Sequence, residues 1–141
     1  MTVSVRPQTM IAVTDVEKSS AWYCELLGAA SGHGGPEYEQ IVVDGELILQ
    51  LHRKESEHHH GTIGDPDQPL GNGVALWFGL ASPDSTGPLD SAGSPASLRE
   101  AAARAAAMGA TIQTGVHLNP NAHHHELWLR DPDGYLVVLA S

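Results

Sequence analysis

The chain has 141 residues, 41% hydrophobic and 17% charged, with 7 Lys and Arg against 17 Asp and Glu for a formal net charge of −10. That content suits one ordinary globular domain or two small fused modules, and it excludes a disordered chain. The acidic balance argues against nucleic acid and anionic membrane as partners, while the single cysteine, Cys24, excludes an internal disulfide and suits a reducing compartment.

Met1 to Pro7 reads as a loose lead-in without the apolar core of a signal peptide, and no apolar run is long enough to span a bilayer, so the expectation is a cytoplasmic protein. Gln8 to Val13 alternates as a strand. Thr14 or Asp15 then caps a helix whose first turn carries Glu17, in accord with the helix dipole. Its inner stripe is Val16, Ser19, Ser20, Tyr23, Leu26 and Leu27, and Gly28 ends it. The glycine-rich stretch that follows predicts a short edge strand and a loop. Tyr38 to Val43 and Glu46 to Arg53 are two strands joined by Asp44-Gly45, a two-residue hairpin signal.

Lys54 to Asn72 is polar and aperiodic and reads as a linker between two halves. Gly73 to Gly79 is an apolar strand. Ala81 to Ala96, rich in Ser, Pro, Gly and Asp, reads as a mobile flap. Ser97-Leu98-Arg99-Glu100 fits a capping box, opening an Ala-rich helix to Met108 with inner stripe Leu98, Ala101, Ala102, Ala105 and Met108 and a stop at Gly109. Thr111 to His117 is a strand and LNPNAH a turn. Glu126 to Ser141 then forms a hairpin around Asp131-Pro132-Asp133-Gly134, in which Pro sets φ, Asp tolerates the bend and Gly takes positive φ. The halves thus repeat as strand, helix and three strands, with DGELILQL at residues 44–51 echoed by DGYLVVLA at residues 133–140. The expected organisation is a first module over residues 1–53, a linker over 54–72 and a second module over 73–141, together one compact domain.

The closing RDPDGYLVV resembles the last hairpin of the vicinal oxygen chelate superfamily of glyoxalases, bleomycin-resistance proteins and extradiol dioxygenases. QTMIAVTDVEKSSAWYCELLGA, residues 8–29, is similar to that family's opening strand and helix. The resemblance implies an α+β fold: two βαβββ modules form a curled mixed sheet with the helices outside. It also implies a small molecule held in the cup of that sheet, and commonly a homodimer. Two classes of function are open: an enzyme such as a lyase, isomerase or dioxygenase, and a non-catalytic binder of a drug or metabolite.

Within that fold, side-chain alternation assigns the cup-facing residues. These are Gln8, Met10 and Ala12; Ile48, Gln50 and His52; Gly73, Ala75 and Trp77; His124, Glu126 and Trp128; and Leu136, Val138 and Ala140. Metal-dependent members hold a divalent ion with one side chain from each of four strands, at positions that fall here on Gln8, Gln50, Gly73 and Val138. Gln8 fits, Gln50 stands where Glu is usual, and Gly73 and Val138 carry no side-chain ligand, so the family metal site is expected not to be intact. His52, His124 and Glu126 offer a weak alternative set of metal ligands. They serve equally as an acid–base group or as mutual hydrogen-bond partners. Glu126 is expected to be the main polar contact to the ligand, with His124 or His52 as its partner. Desolvation would raise its pKa and a protonated imidazole would lower it. Gln8, Met10, Gln50, His52, Trp77 and Trp128 are the candidate substrate contacts, the two indoles as stacking walls or as core filling. The triplet His58–His60 reads as a solvated loop, and the three successive residues His123–His125 cannot all face one ion. Cys24 reads as an inert thiol, and Asn119 and Asn121 as turn residues.

Overall fold

The computed structural model describes residues 4–55, 63–80 and 96–141, and its contacts divide the chain into two units, Met1–Pro69 and Leu70–Ser141. The first unit holds β1 (Met10–Val13), α1 (Val16–Leu27), β2 (Ala30–Ser31), β3 (Tyr38–Val43) and β4 (Glu46–Arg53). The second holds β5 (Ala75–Gly79), α2 (Ala96–Ala107), β6 (Thr111–Asn119), β7 (His124–Arg130) and β8 (Leu136–Ala140). Each unit is therefore a βαβββ module. The sheets have the same plan, β1-β4-β3-β2 and β5-β8-β7-β6, each mixed because its first strand pairs parallel to its last. No helix among the described residues is long and apolar enough to cross a membrane.

Local chemistry sets these elements. Asp15 caps α1, its carboxylate accepting the Lys18 N–H at 3.0 Å, and Gly28 closes it in the left-handed region at φ 64°. Val16, Tyr23 and Leu26 of its stripe are buried, each stabilising the unit by about 1.5–3 kcal/mol, while Leu27 lies half-buried beside the stripe. Asp44 and Gly45 both take positive φ, 50° and 78°, the backbone that a tight two-residue hairpin needs. In the second unit Asp131 builds the last turn: its Oδ1 accepts the N–H groups of Asp133 and Tyr135, each at 2.9 Å. Arg130 Nη1 donates to the Gly134 carbonyl at 3.0 Å and holds that turn from outside. Leu127 and Leu129 of β7 are fully buried, as are Leu98, Ala101 and Ala105 of α2, which packs on β6 and β7. The opposite face of each sheet is not covered by that unit's helix.

Several element boundaries differ from the sequence expectation. β1 starts at Met10, because the Gln8 carbonyl is taken by the Gln50 side chain at 3.0 Å rather than by the ladder. β5 starts at Ala75, because Gly73 sits at φ 75°, outside strand geometry. β6 runs two residues past His117, with Leu118 and Asn119 paired to His125 and His124. α2 begins at Ala96, so Ser97 lies in the first turn rather than at the cap, and its hydroxyl donates to Ser141 Oγ at 3.2 Å. Residues 56–62, with the triplet His58–His60, and residues 81–95, most of the expected flap, lie outside the described residues.

Candidate functional site

The helix-free face of the second unit is set by strand register. Trp77, Val138 and Trp128 pair across β5, β8 and β7, and Gly79, Ala140 and Glu126 form the next row. His117 of β6 pairs with Glu126, and His124 lies two residues before it on the same side of β7.

Glu126 is the centre of this face. It is 0% exposed, yet three side chains reach it. Trp128 Nε1 donates to Oε1 at 2.8 Å, Asn119 Nδ2 donates to Oε2 at 2.6 Å, and His124 Nε2 meets Oε2 at 2.8 Å. Burial pushes its pKa up, but the hydrogen bonds from Trp128, Asn119 and His124, together with the attraction of the imidazole, outweigh that and hold it below the usual carboxylate range. Of the opposed pulls expected from the sequence, those favouring the ionised form therefore win, and Glu126 is a carboxylate at neutral pH.

One of its partners, and a ring packed on that partner, reach solvent. The His124 side chain is 34% exposed and Trp77, packed edge-on against it with centroids 5.8 Å apart, is 50% exposed. His117 packs edge-on against Trp128 at 6.1 Å, its Nδ1 bonded to the Gly115 carbonyl at 2.8 Å. Two rings thus bond the buried anion, and a further ring packs on each of them. Asn119 and His117 were not singled out by sequence as Glu126 neighbours. Asn119 is the expected turn residue, its Oδ1 accepting the N–H groups of Asn121 and Ala122, but its amide nitrogen also serves the site. Of the run His123–His125, His123 occupies the turn at φ 58°, His124 joins Glu126, and His125 pairs its backbone with Ser141.

The first unit brings together different candidates. Met10 and Gln40 flank Gln50 in the ladder, and Ala12 and Tyr38 flank His52. Gln50 Oε1 accepts the Tyr38 hydroxyl at 2.5 Å, and Gln40 Nε2 donates to the same hydroxyl at 3.1 Å. His52 is 5% exposed, with Nδ1 2.9 Å from the Arg53 carbonyl. The unit also contains a carboxylate that sequence reading passed over. Glu39 is 3% exposed on the helix side and accepts from the hydroxyls of Ser20 at 3.1 Å and Ser31 at 2.6 Å, and from the backbone N–H groups of His33, Gly34 and Gln40 at 2.8–3.0 Å. Burial raises its pKa, but the Ser31 hydroxyl and the backbone donors bring it down to about 2. The signal was present: Glu39 shares parity with the buried Ile41, opposite a helix stripe carrying Ser19 and Ser20. Cys24 is a resting thiol, its pKa raised by burial against the Ser20 bond.

The family's metal positions do not fit an ion. Gln50 is committed at both amide atoms, to Tyr38 and to the Gln8 carbonyl, and Gly73 and Val138 offer no donor atom in their side chains. Within a unit, only His124 and Glu126 of the alternative set come together. Among the described residues no group of three His, Cys, Asp or Glu is placed to hold a metal.

The profile of the Glyoxalase/Bleomycin resistance protein/Dioxygenase superfamily matches residues 6–139, and the chain belongs to that superfamily. Its fold is similar to several solved structures. TioX from Micromonospora sp. ML1 aligns at TM-score 0.66 and 14% identity over 97% of this chain and 98% of that one. Lactoylglutathione lyase from Agrobacterium tumefaciens aligns at 0.62 and 18%, over 98% and 93%. The fosfomycin resistance protein FosX from Listeria monocytogenes aligns at 0.64 and 14%, over 99% and 93%. Curated protein sequences gave no match.

Proposed function

We propose that this chain is a small-molecule binder that takes a flat organic compound on the helix-free face of its second unit without a metal at the family positions. Trp77 and Trp128 supply the ring contacts and His124 the polar one. The observation that carries this reading is Glu126, a buried, ionised carboxylate whose donors include His124 and Trp128, with Trp77 packed on the imidazole. A carboxylate committed to three donors is a positioning group: it fixes the rings that meet the ligand, rather than meeting it as the sequence suggested. On the first unit, Gln8, Met10, Gln50 and His52 remain candidate contacts. The relatives' names span a lyase and a resistance protein and support small molecules as the ligand class.

Quinoline is a suitable probe. Calorimetric titration should show saturable binding that Trp77→Leu weakens more than fivefold and Glu25→Ala, at an exposed position of α1, leaves within twofold. No saturation, or equal loss in both variants, would contradict the reading. A second reading, acid–base catalysis, is favoured by one contact: Glu126 holds Nε2 of His124, so proton exchange with a substrate falls to Nδ1. Turnover that His124→Ala leaves intact would sink it.

We also infer a homodimer in a reducing cytosol. Among the described residues the two outer strands of each unit's sheet have one edge without a partner strand in that unit, and such edges are commonly covered by a second subunit. Sedimentation at monomer mass at micromolar concentration would count against this.

A further inference from the structure

We propose that the helix-free face of the second unit selects flat organic cations over neutral and anionic compounds of the same size, an inference that rests on the binding reading above. The charge of this face is set by what surrounds Glu126. Its three side-chain donors are an indole, an amide and an imidazole, none of them a fixed cation. Their hydrogen bonds spread the negative charge over the surrounding rings without cancelling it. Because the carboxylate is 0% exposed, water screens it poorly, and its field reaches the face above it.

The rings add to that field with the same sign. Trp77, 50% exposed, and the half-buried Trp128 place two indoles here, and the faces of an indole carry negative quadrupole density that attracts cations. The one Lys or Arg in the unit's four strands is Arg130, on the same side of β7 as Glu126 and Trp128. It keeps its charge but stands at the far end of β7, four residues from Glu126 and so roughly 13 Å along the strand, held there by Nε donating to Gln113 Oε1 at 2.6 Å and Nη1 to the Gly134 carbonyl at 3.0 Å. Among the described residues the other ionisable side chains on the face are His117 and His124, and the measurement is made at about pH 8, where an ordinary imidazole is neutral. The chain's formal charge of −10 points the same way at long range.

The experiment compares N-methylquinolinium, quinoline and quinoline-6-carboxylate by calorimetry at pH 8. The cation should bind about tenfold tighter than quinoline, the order of a desolvated cation–π contact plus a buried anion, and the carboxylate weaker than both. Glu126→Gln should bring the ratio of cation to quinoline affinity to within about twofold, whatever it does to either affinity alone. Since Glu126→Gln can fail to fold, Trp77→Leu at an exposed position gives an independent arm and should cut the cation's affinity more than that of quinoline. Equal affinities for all three probes, or tightest binding of the carboxylate, would overturn the proposal while leaving the binding reading in place. An undiminished cation preference in Glu126→Gln or Trp77→Leu would do the same. Binding of none of the three would overturn both.

Discussion

Two buried carboxylates occupy equivalent strands of the two modules, β3 and β7, each third in its sheet's order, yet they face opposite ways. Glu39 faces α1, and its donors are the Ser20 and Ser31 hydroxyls, the backbone N–H groups of His33 and Gly34 in the loop after β2, and that of Gln40 in β3. Glu126 faces away from α2, and its donors are the side chains of Asn119, His124 and Trp128. Both are held in the ionised form. The difference lies in what they fix: Glu39 fixes backbone and so ties helix, strand and loop together, whereas Glu126 fixes rings on a face that no helix of its unit covers. The same chemistry serves scaffold in one module and site in the other.

Removing Glu39 should produce the largest effect. Glu39→Ala leaves buried donors without an acceptor and is expected to cost about 4 kcal/mol of stability in urea denaturation. A cost under about 1 kcal/mol would mean that the loop after β2 is not tied through this residue.

Acid comes next. Glu39 has a folded pKa of about 2 against an ordinary 4.5, so its carboxylate binds fewer protons folded than unfolded. The resulting stability is fully present above about pH 4.5 and is lost as pH falls through the folded value, amounting to about 3 kcal/mol across that window. Glu126, also lowered, adds a loss of the same sign. The wild type should therefore lose stability steeply between about pH 4.5 and 2, and Glu39→Gln should flatten that slope; parallel slopes would contradict the assignment.

Trp128→Phe keeps a ring but removes the N–H that Glu126 accepts. The expected cost is about 1–2 kcal/mol, with the Glu126 pKa moving up because a donor to the charged form is gone. A carbon NMR titration of the Glu126 carboxyl that shows no upward movement would place the indole outside this network.

The legible and illegible parts of the molecule follow from the range of the forces involved. Asp44-Gly45, Asp15 and Gly28 act within a few residues, so turn and cap chemistry located them. Alternation placed Leu127 and Leu129 against α2 and Glu126, His124 and Trp128 opposite, because a strand's period is fixed by its backbone. The reach of Asn119 to Glu126 was hidden, since it depends on β6 continuing past His117 to pair with His124. Glu39 was hidden for a similar reason: its partners come from α1, β2 and a glycine loop, and their convergence is tertiary. His52 was grouped with His124 and Glu126 by alternation alone, which assigns a face within a sheet but not proximity between strands of different modules.

The most direct test is a proton–nitrogen NMR titration of the three indole N–H signals with N-methylquinolinium, Trp22 of α1 serving as the internal reference. The signals of Trp77 and Trp128 should shift together along one saturation curve while that of Trp22 stays fixed. A shift confined to Trp22, or saturable binding that moves neither Trp77 nor Trp128, would show that the ligand face lies elsewhere.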